Sequence, residues 1–187
     1  LLTLAIIFAS IGVCLVFAFF LYIVISTGKF DPNALATQDK TIIYDSKGTV
    51  IANLGMERRE SIKYEDLPQV LIDAIIATED SRFFQHNGVD APRFLKASLG
   101  QMAGHSYAGG ASTLTMQVVK NNLTETKQTI TRKFKDIYLS VFFMEKKYTK
   151  EEILEFYVNA PYLGGSSYGV EMACQTYFGK SGKVSND

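Results

Sequence analysis

The sequence predicts a mainly α-helical protein with a short β-hairpin and one membrane-spanning helix, and three observations carry that expectation. Residues 1–27 contain no charged side chain and are dominated by Leu, Ile, Val, Phe and Ala. From Leu67 onward apolar residues recur at helical spacing almost to the C-terminal end. Strand-like patterning is confined to TIIYDSKGTVIANLG, two short runs around a turn at Asp45, Ser46, Lys47 and Gly48.

The apolar segment is long enough to cross a hydrocarbon core of about 30 Å at about 1.5 Å per residue. A cleaved signal peptide is the rival reading. Its apolar region is normally shorter, and no small-residue cleavage site precedes Lys29, which favours a retained helix. Phe19, Phe20 and Tyr22 near its end suit an interfacial anchor. The chain starts without Met or a basic flank, so a cytoplasmic tail is expected to precede it, and orientation cannot be read from flanking charge. Residues 28–40 form a polar linker, leaving 41–187 as one domain with its own core.

Within that domain Pro68 suits the first turn of a helix carrying Val70, Leu71, Ala74, Ile75 and Thr78 on one face. A second helix is expected over 91–102, followed by the small, Gly-rich AGHSYAGGA as a mobile loop containing His105. Ser112 is placed to cap a helix reaching Asn121, and one long amphipathic helix is expected over 129–147. Thr149 and Glu152 read as a capping box for a helix ending near Asn159. APYLGGSSYG reads as a loop, and 170–178 as a last short helix.

Nineteen basic residues balance nineteen acidic ones, so neither a nucleic-acid partner nor an acidic tail is indicated. Cys14 lies in the apolar run and Cys174 near the far end, with no metal-ligand spacing, so the cysteines carry no functional signal.

Three stretches can carry chemistry. In ATEDSRFFQHNG, at 77–88, the carboxylates Glu79 and Asp80 close an apolar helical run, with Arg82, Phe83, His86 and Gly88 behind them. A carboxylate held against apolar walls loses solvation and gains the proton affinity that acid–base work needs, which makes Glu79 the first candidate for catalysis. In GGASTLTMQVVKN, at 109–121, a glycine-led helix start offers free N–H groups to an anion, and Gln117 and Lys120 lie on one helical face. An ordinary capped helix after a loop explains the same residues. At 131–159, Arg132 and Lys133 precede Asp136. They read either as a solvated i,i+4 pair or as a cationic wall for phosphate with a second carboxylate.

Taken in order, these stretches resemble the motifs of the peptidoglycan glycosyltransferases, glycosyltransferase family 51, found in class A penicillin-binding proteins and monofunctional transglycosylases. E-D-x-x-F-x-x-H-x-G is matched by Glu79, Asp80, Phe83, His86 and Gly88. G-x-S-T-x-T-Q-Q-x-x-K-N is matched at Gly110, Ser112, Thr113, Thr115, Gln117, Lys120 and Asn121. R-K-x-x-E is met by Arg132 and Lys133, I-L-E-x-Y-x-N by Ile153, Leu154, Glu155, Tyr157 and Asn159. A final Y-G-V…Y-F-G-K stands at Tyr168, Gly169, Val170 and 177–180. Three positions depart from the pattern: Asp136 replaces Glu, Met116 replaces the first Gln of a pair, and Gln128, beside Lys127, replaces an upstream Arg.

The resemblance implies a lysozyme-like α-helical lobe with a smaller membrane-proximal jaw. It implies polymerisation of lipid II into glycan strands, with Glu79 as general base and Asp136 as second carboxylate. Lys120, Arg132, Lys133 and Arg82 would counter the pyrophosphate, and Ser112, Thr113 and Gln117 would line the substrate side. Asp80 and His86 would stand among the substrate-binding residues and hold Glu79 in place. A divalent Mg or Mn ion is implied as cofactor; the residues that would hold it are not specified. Lipid II, the growing strand, the membrane and cell-wall synthesis proteins are the implied partners. A single-pass location with the domain on the extracytoplasmic face is also implied. The chain ends soon after the last motif, so a longer parent protein, with or without a transpeptidase domain, is expected. Two alternatives share the fold: a lytic muramidase, for which pyrophosphate-binding cations have no use, and a catalytically weak scaffold, suggested by Asp136 and Met116.

Overall fold

Helix α1, Leu2–Thr27, carries the apolar run as one uninterrupted helix. The computed structural model describes residues 2–28, 31–35, 41–47, 50–54, 58–102, 110–124 and 129–184. Along α1 only Ile23 is buried; Leu4, Phe8, Val13, Phe17 and Ile25 stand exposed, covered by none of the described residues. An apolar surface of that length fits membrane anchoring.

The end of α1 packs against the domain. The Phe19 ring meets Phe134 edge-on at 5.1 Å, and Phe20 meets Tyr138 and Phe142. Lys135 Nζ donates to Ser26 O at 2.9 Å, where the helix leaves its last carbonyls unpaired. The aromatic residues expected to anchor in the interface therefore also dock the helix on its own domain.

Strands β1, Thr41–Tyr44, and β2, Val50–Leu54, form the expected antiparallel hairpin. Strand β3, Arg58–Arg59, pairs in parallel with β4, Ser167–Tyr168. That strand corrects the expectation of a plain loop at 160–169. Gly169 follows it at φ 79°, and a Cβ there would meet the Asn159 backbone at 3.0 Å, so the chain passes only because the residue is glycine.

The helical lobe consists of α2 (Gln69–Glu79), α3 (Ala91–Met102), α4 (Leu114–Asn122), α5 (Ile130–Leu139), α6 (Glu145–Lys147), α7 (Lys150–Asn159) and α8 (Val170–Phe178). Its core gathers Ile62, Ile72, Phe83, Leu114, Val118, Val119, Met144, Ile153, Leu154 and Val158. Each fully buried side chain of this kind stabilises the fold by about 1.5–3 kcal/mol. Helix α4 lies in the middle, against α5 on one side and α7 on the other.

Two helix boundaries differ from the sequence expectation. The cap of α4 is Thr113, whose side chain accepts from Met116 N–H, while the Ser112 hydroxyl is taken by Lys133. The long helix expected over 129–147 is broken by a π-turn, Ser140–Met144. Ser140 Oγ donates to Asp136 O at 2.7 Å, and Gly88 seats against the Ser140 carbonyl, so local and tertiary contacts both compete with the regular ladder. The capping box at Thr149 and Glu152 forms as expected.

The fourth motif does architectural work. Asn159 accepts from Ile62 N–H and donates to Ile62 O, at 3.0 and 2.9 Å, and Glu155 accepts from Tyr64 N–H. Together they stitch the segment before α2 onto α7.

Candidate active site

Helix α2 ends on Glu79, and Asp80 caps it with φ −155°, turning the chain so that the two carboxylates part. Asp80 enters the interior and is fully buried. Its oxygens accept from His86 Nε2 at 2.9 Å and from Leu114 N–H at 3.0 Å, and Arg93 Nη1 lies 3.8 Å away. Glu79 remains half-buried, and its Oε2 accepts from Gln117 Nε2 at 2.9 Å. Its backbone carbonyl accepts from Arg93 Nη1, whose Nε donates in turn to Gly110 O. Thr113 Oγ1 donates to Gly88 O at 2.7 Å, closing the loop after Glu79 onto the start of α4.

Helix α4 buries Leu114, Thr115, Met116, Val118 and Val119, which leaves Gln117 and Lys120 on its other face. Opposite them α5 presents Arg132, Lys133 and Asp136. These residues, with Ser112 and Met116, line a cavity of about 380 Å³. Lys133 Nζ donates to Ser112 Oγ at 2.6 Å. Asp136 is 3% exposed, yet among the described residues its Oδ1 has no hydrogen-bond partner, and neither has Arg132 Nε, 3.8 Å from Oδ2.

Burial pushes the Asp136 carboxyl above its ordinary range, against the opposing pull of Thr124, Arg132, Lys133 and Lys120. Burial pushes the Lys133 ammonium down; Asp136 opposes this, while Arg132 and Lys120 add to it. The Tyr157 phenol is pushed up by burial and then by the Glu79 charge. Three cationic side chains and an incompletely paired carboxylate sharing one opening are costly unless an anion and hydrogen-bonding groups arrive to complete it. A second cavity, of about 400 Å³, lies between the end of α1 and α5, lined by Tyr22, Ser26, Thr124, Thr129, Lys135 and, shared with the first, Arg132.

Residues 47–184 match the family model described as Transglycosylase. The chain belongs to the transglycosylase family. It is 38% identical over 179 residues to Penicillin-binding protein 1A of Vibrio cholerae serotype O1, covering 92% of this chain and 21% of that protein. It is 43% identical over 139 residues to Penicillin-binding protein 1A of Neisseria gonorrhoeae, 74% of this chain and 17% of that one. Penicillin-binding protein 1A/1B of Bacillus subtilis is 38% identical over 151 residues, 81% of this chain and 16% of its own length. The chain thus spans about a fifth of the length of these curated relatives.

In this transglycosylase domain the motif residues divide. Ser112, Gln117, Lys120, Arg132, Lys133 and Asp136 come together around the cavity, and Gln117 joins Glu79 to it. Asp80 and Thr113 face inward and bond to the scaffold, and His86 is held through Nε2 by Asp80 while its buried Nδ1 has no partner among the described residues; none of the three lines the cavity as a substrate ligand. Arg82 pairs through two nitrogens with Asp90, which occupies the guanidinium expected to counter pyrophosphate. Met116, a departure from the family motif, is 1% exposed and packs in the core at the cavity wall.

Arg93 and Tyr157 are additions that the motif reading did not single out for the site. The signal for Arg93 was available: Asp90 accepts from Arg93 N–H at the start of α3, the usual spacing of a helix cap. His105, Gly109, Lys127 and Gln128 lie outside the described residues. Also among the described residues, no three His, Cys, Asp or Glu side chains gather as a metal cage.

Proposed function

We propose that this chain carries peptidoglycan glycosyltransferase activity and polymerises lipid II at the extracytoplasmic face of the membrane. The observation that carries the reading is the cation-walled cavity, joined by Gln117 to Glu79 and sharing Arg132 with a second cavity at the end of the apolar helix. A pyrophosphate needs cations, a sugar hydroxyl needs a base, and a polyprenyl tail needs the membrane nearby.

In this reading Glu79 takes the proton from the acceptor GlcNAc 4-hydroxyl while Gln117 fixes its carboxylate. The freed oxygen bonds to C1 of the donor MurNAc from the face opposite the leaving group, and the C1–O bond to undecaprenyl pyrophosphate breaks with inversion. Lys120, Arg132 and Lys133 receive the charge that develops on the departing pyrophosphate. Burial pushes the Lys133 ammonium down, and a polyanion beside it would act against that shift. Asp136 offers an oxygen without a partner among the described residues to a sugar hydroxyl or to the leaving group's surroundings.

The residues present do not fit a protein-held divalent cation. Asp136 is a single carboxylate beside Arg132, Lys133 and Lys120, which repel a second positive charge. A Mg or Mn ion is therefore proposed only as a companion of the substrate pyrophosphate, with no step derived through it.

Incubating the full-length protein in vesicles with labelled lipid II tests the reading. Glycan polymer supports it; cleavage of pre-made glycan instead supports a lytic muramidase, and binding without turnover a scaffold.

A further inference from the structure

We propose that Lys150, with Glu145 as its partner, is a positioning residue for the reaction: the pair fixes the loop that follows Glu79 against α4 and so sets where the base stands. The inference rests on the reading of Glu79 as that base. Neither residue lines the cavity of about 380 Å³.

Lys150 opens α7. Its Nζ donates to His86 O at 2.7 Å and to Glu145 Oε1 at 2.8 Å, and it stands 4.5 Å from the centre of the Phe83 ring. Both His86 and Phe83 belong to the loop after Glu79. Glu145 Oε1 also accepts from Thr115 Oγ1. Thr115 lies two residues before Gln117 on α4, and Gln117 holds the Glu79 carboxylate. One ion pair thus touches both elements that meet at Glu79: the loop behind it and the helix that holds its oxygen. Glu145 also abuts the loop directly, since a Cβ on Gly88 would lie 3.2 Å from its Cγ.

The chemistry suits an ammonium in particular. It has three donors and no acceptor, and here it meets a carbonyl, a carboxylate and an aromatic face. The side chains are 17% and 6% exposed, so the pair is largely withdrawn from water. Such a pair returns little net stability compared with apolar side chains of similar volume, and what it supplies is direction and distance. Direction and distance are what a general base needs, because a misplacement of about 1 Å costs on the order of a hundredfold in rate.

The test uses the full-length protein in vesicles with lipid II, reading melting temperature, kcat and KM for wild type, the double variant Lys150→Met/Glu145→Leu, Thr115→Val and Glu79→Gln. The double variant is expected to melt near wild type, with kcat down about tenfold or more and KM for lipid II within about twofold. Thr115→Val, which removes only the hydroxyl link, is expected to lower kcat about threefold without moving KM or the melting temperature. It reports even if the double variant fails to fold. Wild-type kcat in either folded variant, beside an inactive Glu79→Gln, overturns the positioning role alone. An active Glu79→Gln overturns the underlying assignment of the base.

Discussion

Glu171 and Asp136 are both buried carboxylates, 1% and 3% exposed, and burial acts on them in opposite company. Burial works to raise Glu171, but hydrogen bonds from Gln175, Ser181 and Gly182 N–H outweigh it and hold the carboxyl below the ordinary glutamate range. It clasps the segment after α8 to the domain. Among the described residues Asp136 receives no comparable set of donors; burial prevails over Thr124 and the neighbouring cations, and its carboxyl is held high. The satisfied acid is an architectural clasp, whereas the unsatisfied one lines the cavity with Lys133, itself pushed down by burial. Strain of this kind is stored where a ligand relieves it.

The same division runs through the neighbours Glu79 and Asp80, and variants at each sharpen it from the largest effect downward. Glu79→Gln is expected to cut lipid II polymerisation by about 10²–10⁴-fold while the melting temperature stays near wild type, measured by product analysis alongside thermal unfolding. Asp80→Ala leaves Leu114 N–H and the His86 ring without their acceptor. It is expected to cost about 3–5 kcal/mol of stability, read from denaturant unfolding, with activity lost through the fold.

Glu171→Gln is expected to cost about 1–3 kcal/mol. The native carboxyl is depressed, so its contribution is full above the unfolded pKa and is lost as pH falls through the folded value; the variant and wild type should converge in stability at low pH. The smallest expected effect is that of a chelator. With no gathered carboxylate cage among the described residues, EDTA should leave the melting temperature of the substrate-free protein unchanged.

Much of the fold is legible in the sequence because local chemistry decides it. The charge-free run, the capping box at Thr149 and the Gly-bounded helix over 170–178 each carry their own signal. What local pattern could not supply came from distant contacts. Ser112 and Thr113 are equally good caps by type, and the choice falls to Thr113 because Lys133, on another helix, engages Ser112. The π-turn at 140–144 begins at the Ser140 carbonyl, against which Gly88 is seated from more than fifty residues upstream. For the site, six motif residues gather at one cavity, but spacing could not say which of the motif residues would face it. The turn at Asp80, the pairing of Arg82 with Asp90 and the bridge made by Arg93 decide that.

Whether the cavity between α4 and α5 is the catalytic centre is decided by Asp136→Asn, assayed for melting temperature and polymerisation together. A carboxyl raised above its ordinary value of 3.8 leaves stability full below that value, and the penalty grows as pH rises through the folded value. At neutral pH the neutral isostere therefore removes a cost. The expected result is a protein more stable by about 0.5–2 kcal/mol whose lipid II polymerisation falls at least tenfold. A variant that is destabilised, or that polymerises at the wild-type rate, contradicts the claim.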